Sequence, residues 1–273
     1  MAVPEREGFA EVDGGGRLFF ETRGEGHAVV LLHAGIADRR MWAAQFAGYA
    51  GRYQVVRYDV RGFGRSDAPK APYSDAEDLS ALLRALDLDR VSLVGSSNGG
   101  RIALDFALTH PTMVEALVAA APGLVGYEIS DDPEERAAFD ELEQEQVAAR
   151  EVARTVGLEA GIDRLIALWA RAVPEAARPA VFEMMRDNAR RVFDDDRDFA
   201  IGLDPPTVKQ LPQLRVPTLV VEGELDHPAM HYLADAVANG VPGSQRTTIE
   251  GADHLINLSR PEAFDRAVLD FLA

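Results

Sequence analysis

An α/β chain is predicted, with a mostly parallel sheet covered by helices on both faces and broken by one helical insertion. Three observations carry this. Strand-length apolar runs alternate with helix-length stretches from Arg17 to Ala121, the pattern of successive βαβ units. Strand signals then vanish between Tyr127 and Val208. After Pro217 the alternation resumes. The expected division is a core made of residues 1–126 and 209–273, with a helical lid over 127–208.

Element by element, residues 17–21 and 28–33 read as strands, the second apolar enough to be a parallel strand buried on both faces. A short helix over 42–49 and a strand over 54–58 follow. The helix expected at 76–86 places Leu79, Leu82, Leu83 and Leu86 on one face. A strand over 91–95, a helix over 98–109 stopped before Pro111 and a strand over 114–121 complete the first half. Residues 134–160 and 161–172 read as helices rich in Ala, Glu and Arg. In a third helical stretch, 180–193, Phe182, Met185, Ala189 and Val192 recur at helical spacing. That stripe is either core packing or the underside of a lid facing a substrate pocket. Strand 218–222, helix 231–241, strand 245–250 and helix 261–272 close the chain, the last with proline near its start.

Composition narrows the function classes. With 47% hydrophobic and 27% charged residues over 273 positions, the chain has the balance of an ordinary globular protein, which excludes global disorder. Cysteine is absent, so disulfides, thiolate catalysis and Cys-ligated zinc or iron–sulfur centres are excluded. A formal charge of −17 repels phosphate backbones and anionic bilayers, so neither nucleic acid nor a membrane is an expected partner. The charge is uneven: residues 127–208 hold 20 of the 45 acidic residues against 10 arginines. The first 25 residues show no secretory-signal pattern and no apolar stretch reaches membrane length, so the cytoplasm is the expected location.

The strand over 91–95 runs directly into Gly95-Ser96-Ser97-Asn98-Gly99-Gly100 and then a helix. This is G-x-S-x-G in the strand–turn–helix setting the motif requires. A side chain at the apex of such a turn has strained dihedrals, and its neighbours must lack bulk for the turn to close. Ser97 is thereby raised at the tip of the sheet, with the first N–H groups of the next helix beside it. Ser96, off the central position, is the small residue that lets the turn form.

A serine hydroxyl needs a general base, and histidine suits neutral pH. Of six histidines, His27, His110 and His231 fit solvent or capping roles, His33 ends a buried strand, and His227 directly follows Asp226. His254 lies in the loop after the last strand, at the carboxyl edge where sites on open α/β sheets gather. The orienting acid is Asp226, past the end of strand 218–222, with Glu222, Glu224 and Asp253 as alternatives. The order Ser97, Asp226, His254 is the chain order expected for a fold of this kind.

Four segments carry a resemblance: Leu31-Leu32-His33-Ala34-Gly35, the stretch Tyr58-Asp59-Val60-Arg61-Gly62-Phe63-Gly64-Arg65-Ser66, the turn around Ser97, and the loops with Asp226 and His254. With these the chain resembles the α/β-hydrolase superfamily, in the branch of lid-bearing serine esterases, enol-lactonases and carbon–carbon bond hydrolases. The resemblance implies an α/β-hydrolase fold with an eight-stranded type of sheet and an oxyanion hole built from the amides of Gly35 and Asn98. It departs from the family's usual His-Gly in having His33-Ala34, with glycine one place later. It also gives His33 and residues 59–66 structural roles beside the pocket.

The expected chemistry is acyl transfer from a small, largely apolar ester or lactone to water, with no cofactor and no metal. Serine at the turn argues against dehalogenase or epoxide-hydrolase chemistry, for which the related enzymes use aspartate. A carbon–carbon hydrolase, a cofactor-free perhydrolase and a small-molecule receptor on the same fold are the alternatives. Phe139, Trp169, Phe182 and Met185 are expected to line the substrate pocket from the lid. Other signals fall away. His227 and His231 lack a third metal ligand, the acidic run 194–198 lacks the spacing of a calcium loop and reads as a solvated loop, and Gly14-Gly15-Gly16 reads as a turn.

Overall fold

Strand residues divide by parity between two cores, as the period of two of a pleated sheet requires. Val29, Leu31, Val55, Val94, Val118 and Val221 pack into one cluster, and Val30, Leu32, Val56, Leu93, Leu117 and Val220 into the other. The computed structural model describes residues 5–193 and 199–273. The acidic run at 194–198 lies outside the described residues.

The strands are β1 (Glu5–Glu11), β2 (Arg17–Arg23), β3 (Ala28–Leu32), β4 (Gln54–Tyr58), β5 (Val91–Ser96), β6 (Val114–Ala120), β7 (Thr218–Gly223) and β8 (Gln245–Ile249). They form one eight-stranded sheet in the order β1-β2-β4-β3-β5-β6-β7-β8. β2 is antiparallel to both β1 and β4, and every other pairing is parallel. Sequence patterning misses β1 for a physical reason. It is an edge strand with only Ala10 buried, so it lacks the apolar run that marks the others.

Helices α1 (Ala43–Tyr49), α10 (Ile256–Ser259) and α11 (Pro261–Leu272) bring Phe46, Tyr49, Ile256, Phe264 and Val268 to the first cluster, beside Trp42. α2 (Asp75–Ala85) and α3 (Asn98–Thr109) cover the second with Leu79, Leu82, Ile102 and Phe106. α9 (Pro228–Gly240) begins three residues before its expected start, because Pro228 opens the helix rather than breaking it.

Between β6 and β7 lie α4 (Pro133–Thr155), α5 (Leu158–Trp169), α6 (Arg178–Asp187), α7 (Ala189–Phe193) and the short α8 (Thr207–Gln210). The two long helices end and start at Gly157, whose φ of 143° is open to glycine and strained for other residues. Ile162, Leu165, Val181, Met184, Met185 and Val192 join the first core cluster, so these helices extend it over the carboxyl edge of the sheet. No helix among the described residues is long and apolar enough to cross a membrane.

Candidate active site

β5 ends at Ser96 and α3 begins at Asn98, leaving Ser97 alone at the bend with φ 53° and ψ −112°. For a residue with a Cβ this is a strained conformation of the kind that collects at functional sites. It is held by backbone hydrogen bonds: Ser97 N–H donates to Ala120 O at 2.8 Å, and Ser97 O accepts from the amides of Arg101 and Gly123. Bulk is excluded on both sides. A Cβ on Gly95 would overlap the Gly99 carbonyl, and one on Gly99 would overlap the carbonyl of Leu32 in the neighbouring strand. Ser96 is buried, as expected of the small residue in this turn.

Loops after β7 and β8 bring Asp226 and His254 together. His254 Nδ1 lies 2.9 Å from Asp226 Oδ2 and 3.2 Å from Oδ1, and both residues are buried. Asp226 Oδ1 also accepts from the His227 amide at 2.7 Å, which fixes the carboxylate. Because an ionised carboxylate only accepts, Nδ1 carries the proton and Nε2 is left with its lone pair. Trp169 lies against the imidazole, with ring centroids 4.3 Å apart.

Ser97 and His254 line the same cavity, of about 510 Å³, together with Gly35, Asn98 and Trp169. No hydrogen bond joins Ser97 to His254 among the described residues; such bonds are often long in unliganded sites and tighten when substrate is bound. Asn98, first in α3, has an amide with no intrahelical acceptor. Gly35 approaches it closely enough that an added Cβ would sit 3.4 Å from Asn98 Cβ.

The competing carboxylates are otherwise engaged. Glu222 is still within β7 and bonds His231, Arg246 and Thr248. Burial pushes its carboxyl up, yet these hydrogen bonds outweigh that and hold it at about 2. Glu224 accepts from the Gly251 amide. Asp253 is buried and accepts from the amides of Ala172 and Leu255, and burial raises its pKa.

His33 is structural. Its Nδ1 bonds Ala34 O at 2.8 Å and its Nε2 accepts from the Val60 amide at 2.9 Å, and burial pulls its pKa below the usual histidine value. Asp59 likewise serves its loop, accepting from the amides of Arg39 and Arg65 and from the Arg39 guanidinium. His227 caps α9 by accepting from the Ala229 amide, and His27 bonds Ser92 Oγ.

The expected pocket set needs correction. Of Phe139, Trp169, Phe182 and Met185, only Trp169 lines the cavity with Ser97. Phe139 stacks on Tyr127, with centroids 5.5 Å apart, and opens on a separate surface depression. Met185 is fully buried, and Phe182 packs against the same core cluster. The stripe in that helix is therefore core packing, because α6 turns Val181, Met184 and Met185 inward to extend the core. Leu142 and Gln146, one turn apart on α4, face the cavity instead.

Sequence reasoning also misses the polar wall formed by Asp75, Arg101 and Arg191. Arg101 was open to detection, since it lies one helical turn beyond Ser97. Its guanidinium bonds Asn98 Oδ1 at 2.9 Å, Asp105 at 3.0 Å and Asp75. Asp75 and Arg191 come from distant segments, with no local signal to mark them.

A sequence profile described as alpha/beta hydrolase fold matches residues 27–261. An uncharacterized protein of Mycobacterium tuberculosis is 38% identical over 120 residues, a stretch covering 42% of this chain and only 35% of that protein. A 2-hydroxy-6-oxo-6-(2'-aminophenyl)hexa-2,4-dienoic acid hydrolase of Metapseudomonas resinovorans is 26% identical over 95% of this chain and 89% of its own length. Among solved structures, the enol-lactonase of Burkholderia xenovorans LB400 is similar with a TM-score of 0.78 and 26% identity, covering 97% of this chain and 99% of that one. The match over residues 27–261 and the strand order around Ser97 agree: the chain belongs to the alpha/beta hydrolase fold family.

Proposed function

We propose that the protein is a serine hydrolase that cleaves a small, largely apolar carboxylic ester or lactone through an acyl-enzyme. One observation carries the reading: Ser97, strained at the tip of β5, opens on the same cavity as a histidine whose far nitrogen is bonded to a buried aspartate. His254 Nε2 takes the proton of Ser97 Oγ as the oxygen attacks the carbonyl carbon. The amides of Asn98 and Gly35 hold the oxyanion, and Asp226 stabilises the imidazolium that forms. His254 then passes the proton to the departing alkoxide. Water, deprotonated by the same nitrogen, releases the acid and restores Ser97. Helices α4 and α5 act as the lid, through Trp169, Leu142 and Gln146.

Similarity to an enol-lactonase supports an ester-type substrate. Similarity to a hydrolase of an oxo-dienoic acid supports a second reading, carbon–carbon cleavage, because a substrate named as such an acid has no ester to break. Relative rates on p-nitrophenyl esters, enol-lactones and vinylogous diketones separate the two. The test of the mechanism is Ser97→Ala. It is expected to lower turnover of a short p-nitrophenyl ester by about 10⁴-fold or more with an unchanged circular dichroism spectrum. Full activity in that variant would refute the reading.

A further inference from the structure

Helix α4 stands between two hollows. On one side is the cavity of about 510 Å³ that holds Ser97 and His254. On the other is the surface depression of about 320 Å³ onto which Phe139 opens, together with Ile129. Leu142 and Gln146, one turn apart, border both hollows, and no other residue is common to the two linings. The wall between them is therefore two side chains of α4 rather than backbone.

The two parts of this wall differ. Leu142 is buried and belongs to the first core cluster, so packing holds it in place. Gln146 is half-buried and makes no side-chain hydrogen bond or ion pair among the described residues. It also borders a void of about 30 Å³ with Ile36, Leu165 and Trp169, so apolar neighbours surround it without packing tightly. No bond in the fold depends on its amide, and what the side chain contributes at this border is bulk. Beyond it lies apolar surface that folding leaves in water, with Ile129 42% exposed.

We propose that Gln146 is a specificity-determining residue whose bulk closes the cavity toward Ile129 and Phe139, so that the substrates are short-chain esters or lactones. The proposal rests on the Ser97 reading for the reaction. A chain directed from Ser97 toward α4 ends at Gln146, and methylenes past that point find no apolar contact. Each methylene left in water forfeits about fourfold in binding. Cutting Gln146 back to Cβ joins the two hollows and gives a longer chain the surface of Ile129 and Phe139 to cover.

The test is kcat/KM on two pairs of esters. p-Nitrophenyl butyrate against p-nitrophenyl decanoate lengthens the acyl side, and ethyl butyrate against octyl butyrate lengthens the alkoxy side. The unmodified protein is expected to favour the short member of at least one pair. In Gln146→Ala the long-to-short ratio of that pair is expected to rise about tenfold or more. Alanine is the best helix former and Gln146 has no side-chain bond to lose, so α4 is kept. Gln146→Leu retains the bulk without the amide and is expected to keep the original ratio. So is Gln144→Ala, at an exposed position of α4 that borders neither hollow. A ratio unmoved in Gln146→Ala, an equal rise in Gln146→Leu or Gln144→Ala, or a preference for the long member of both pairs before any substitution overturns the proposal. If no ester turned over, or if Ser97→Ala still hydrolysed them, the Ser97 reading would fail separately. Dissociation constants of 2-hexanone and 2-dodecanone, compared across the same variants by NMR titration, would then decide the Gln146 proposal.

Discussion

The two walls of the cavity are built in different ways. On the sheet side, position is set by backbone: a strained bend at Ser97, glycines at 95 and 99 with no space for a Cβ, and strand ends that deliver the loops of Asp226 and His254. On the helical side, position is set by side chains reaching across. Trp169 lies on His254, Asp253 accepts from the Ala172 amide, and Arg171 donates to Leu225 O. Asn188, at the end of α6, accepts from the Gly64 amide and donates to Asp38. A wall made by backbone tolerates almost no change, whereas a wall made by side-chain contacts can be retuned one residue at a time.

The largest effect should therefore come from the smallest change on the sheet side. Gly99→Ala drives a methyl into the Leu32 carbonyl and is expected to cost more than about 5 kcal/mol, seen as loss of folded protein by circular dichroism. A fully folded Gly99→Ala protein would break the contrast. Next, Trp169→Ala empties a buried site next to His254 and is expected to cost roughly 3–5 kcal/mol in urea unfolding, with lower turnover of esters. The protein should still fold, which is the difference from Gly99. Smaller again, Asn188→Leu leaves the Gly64 amide without its acceptor and removes one of the donors to the buried Asp38 Oδ2, which keeps Arg40, an expected loss of about 1–3 kcal/mol by the same method.

The smallest effect is a pH dependence on the sheet side. Burial lowers the pKa of His33 in the folded chain, and its Nε2 must stay unprotonated to accept from the Val60 amide. Between the lowered folded value and the usual 6.5, the unfolded chain binds more protons than the folded one. Stability is therefore expected to decline as pH falls below about 6.5. His33→Gln should flatten that slope in thermal unfolding measured between pH 7 and 5. An unchanged slope would mean that His33 does not set it.

The same contrast explains what could be read without coordinates. Ser97, Asp226 and His254 were legible because local backbone grammar marks them: each follows a strand, and glycines flank the bend at Ser97. Gly35 and Asn98 were reached through the family resemblance, and both line the cavity. β1 was not legible, since an exposed edge strand needs no apolar pattern. Phe182 and Met185 were misplaced as pocket residues because helical periodicity identifies an inward face without saying what that face meets. Asp75 meets Arg101 from 26 positions away, a pairing that depends on how α2 and α3 pack rather than on any local spacing.

The most direct test is where a fluorophosphonate becomes attached. Protein treated with a short alkyl fluorophosphonate would be digested and mapped by mass spectrometry, alongside His254→Ala treated in the same way. Modification of Ser97 alone is expected, at one label per chain, with the rate falling sharply in His254→Ala. Labelling of Ser96 or another residue, or undiminished ester hydrolysis by protein in which Ser97 stays unmodified, would contradict the assignment of Ser97 as the nucleophile.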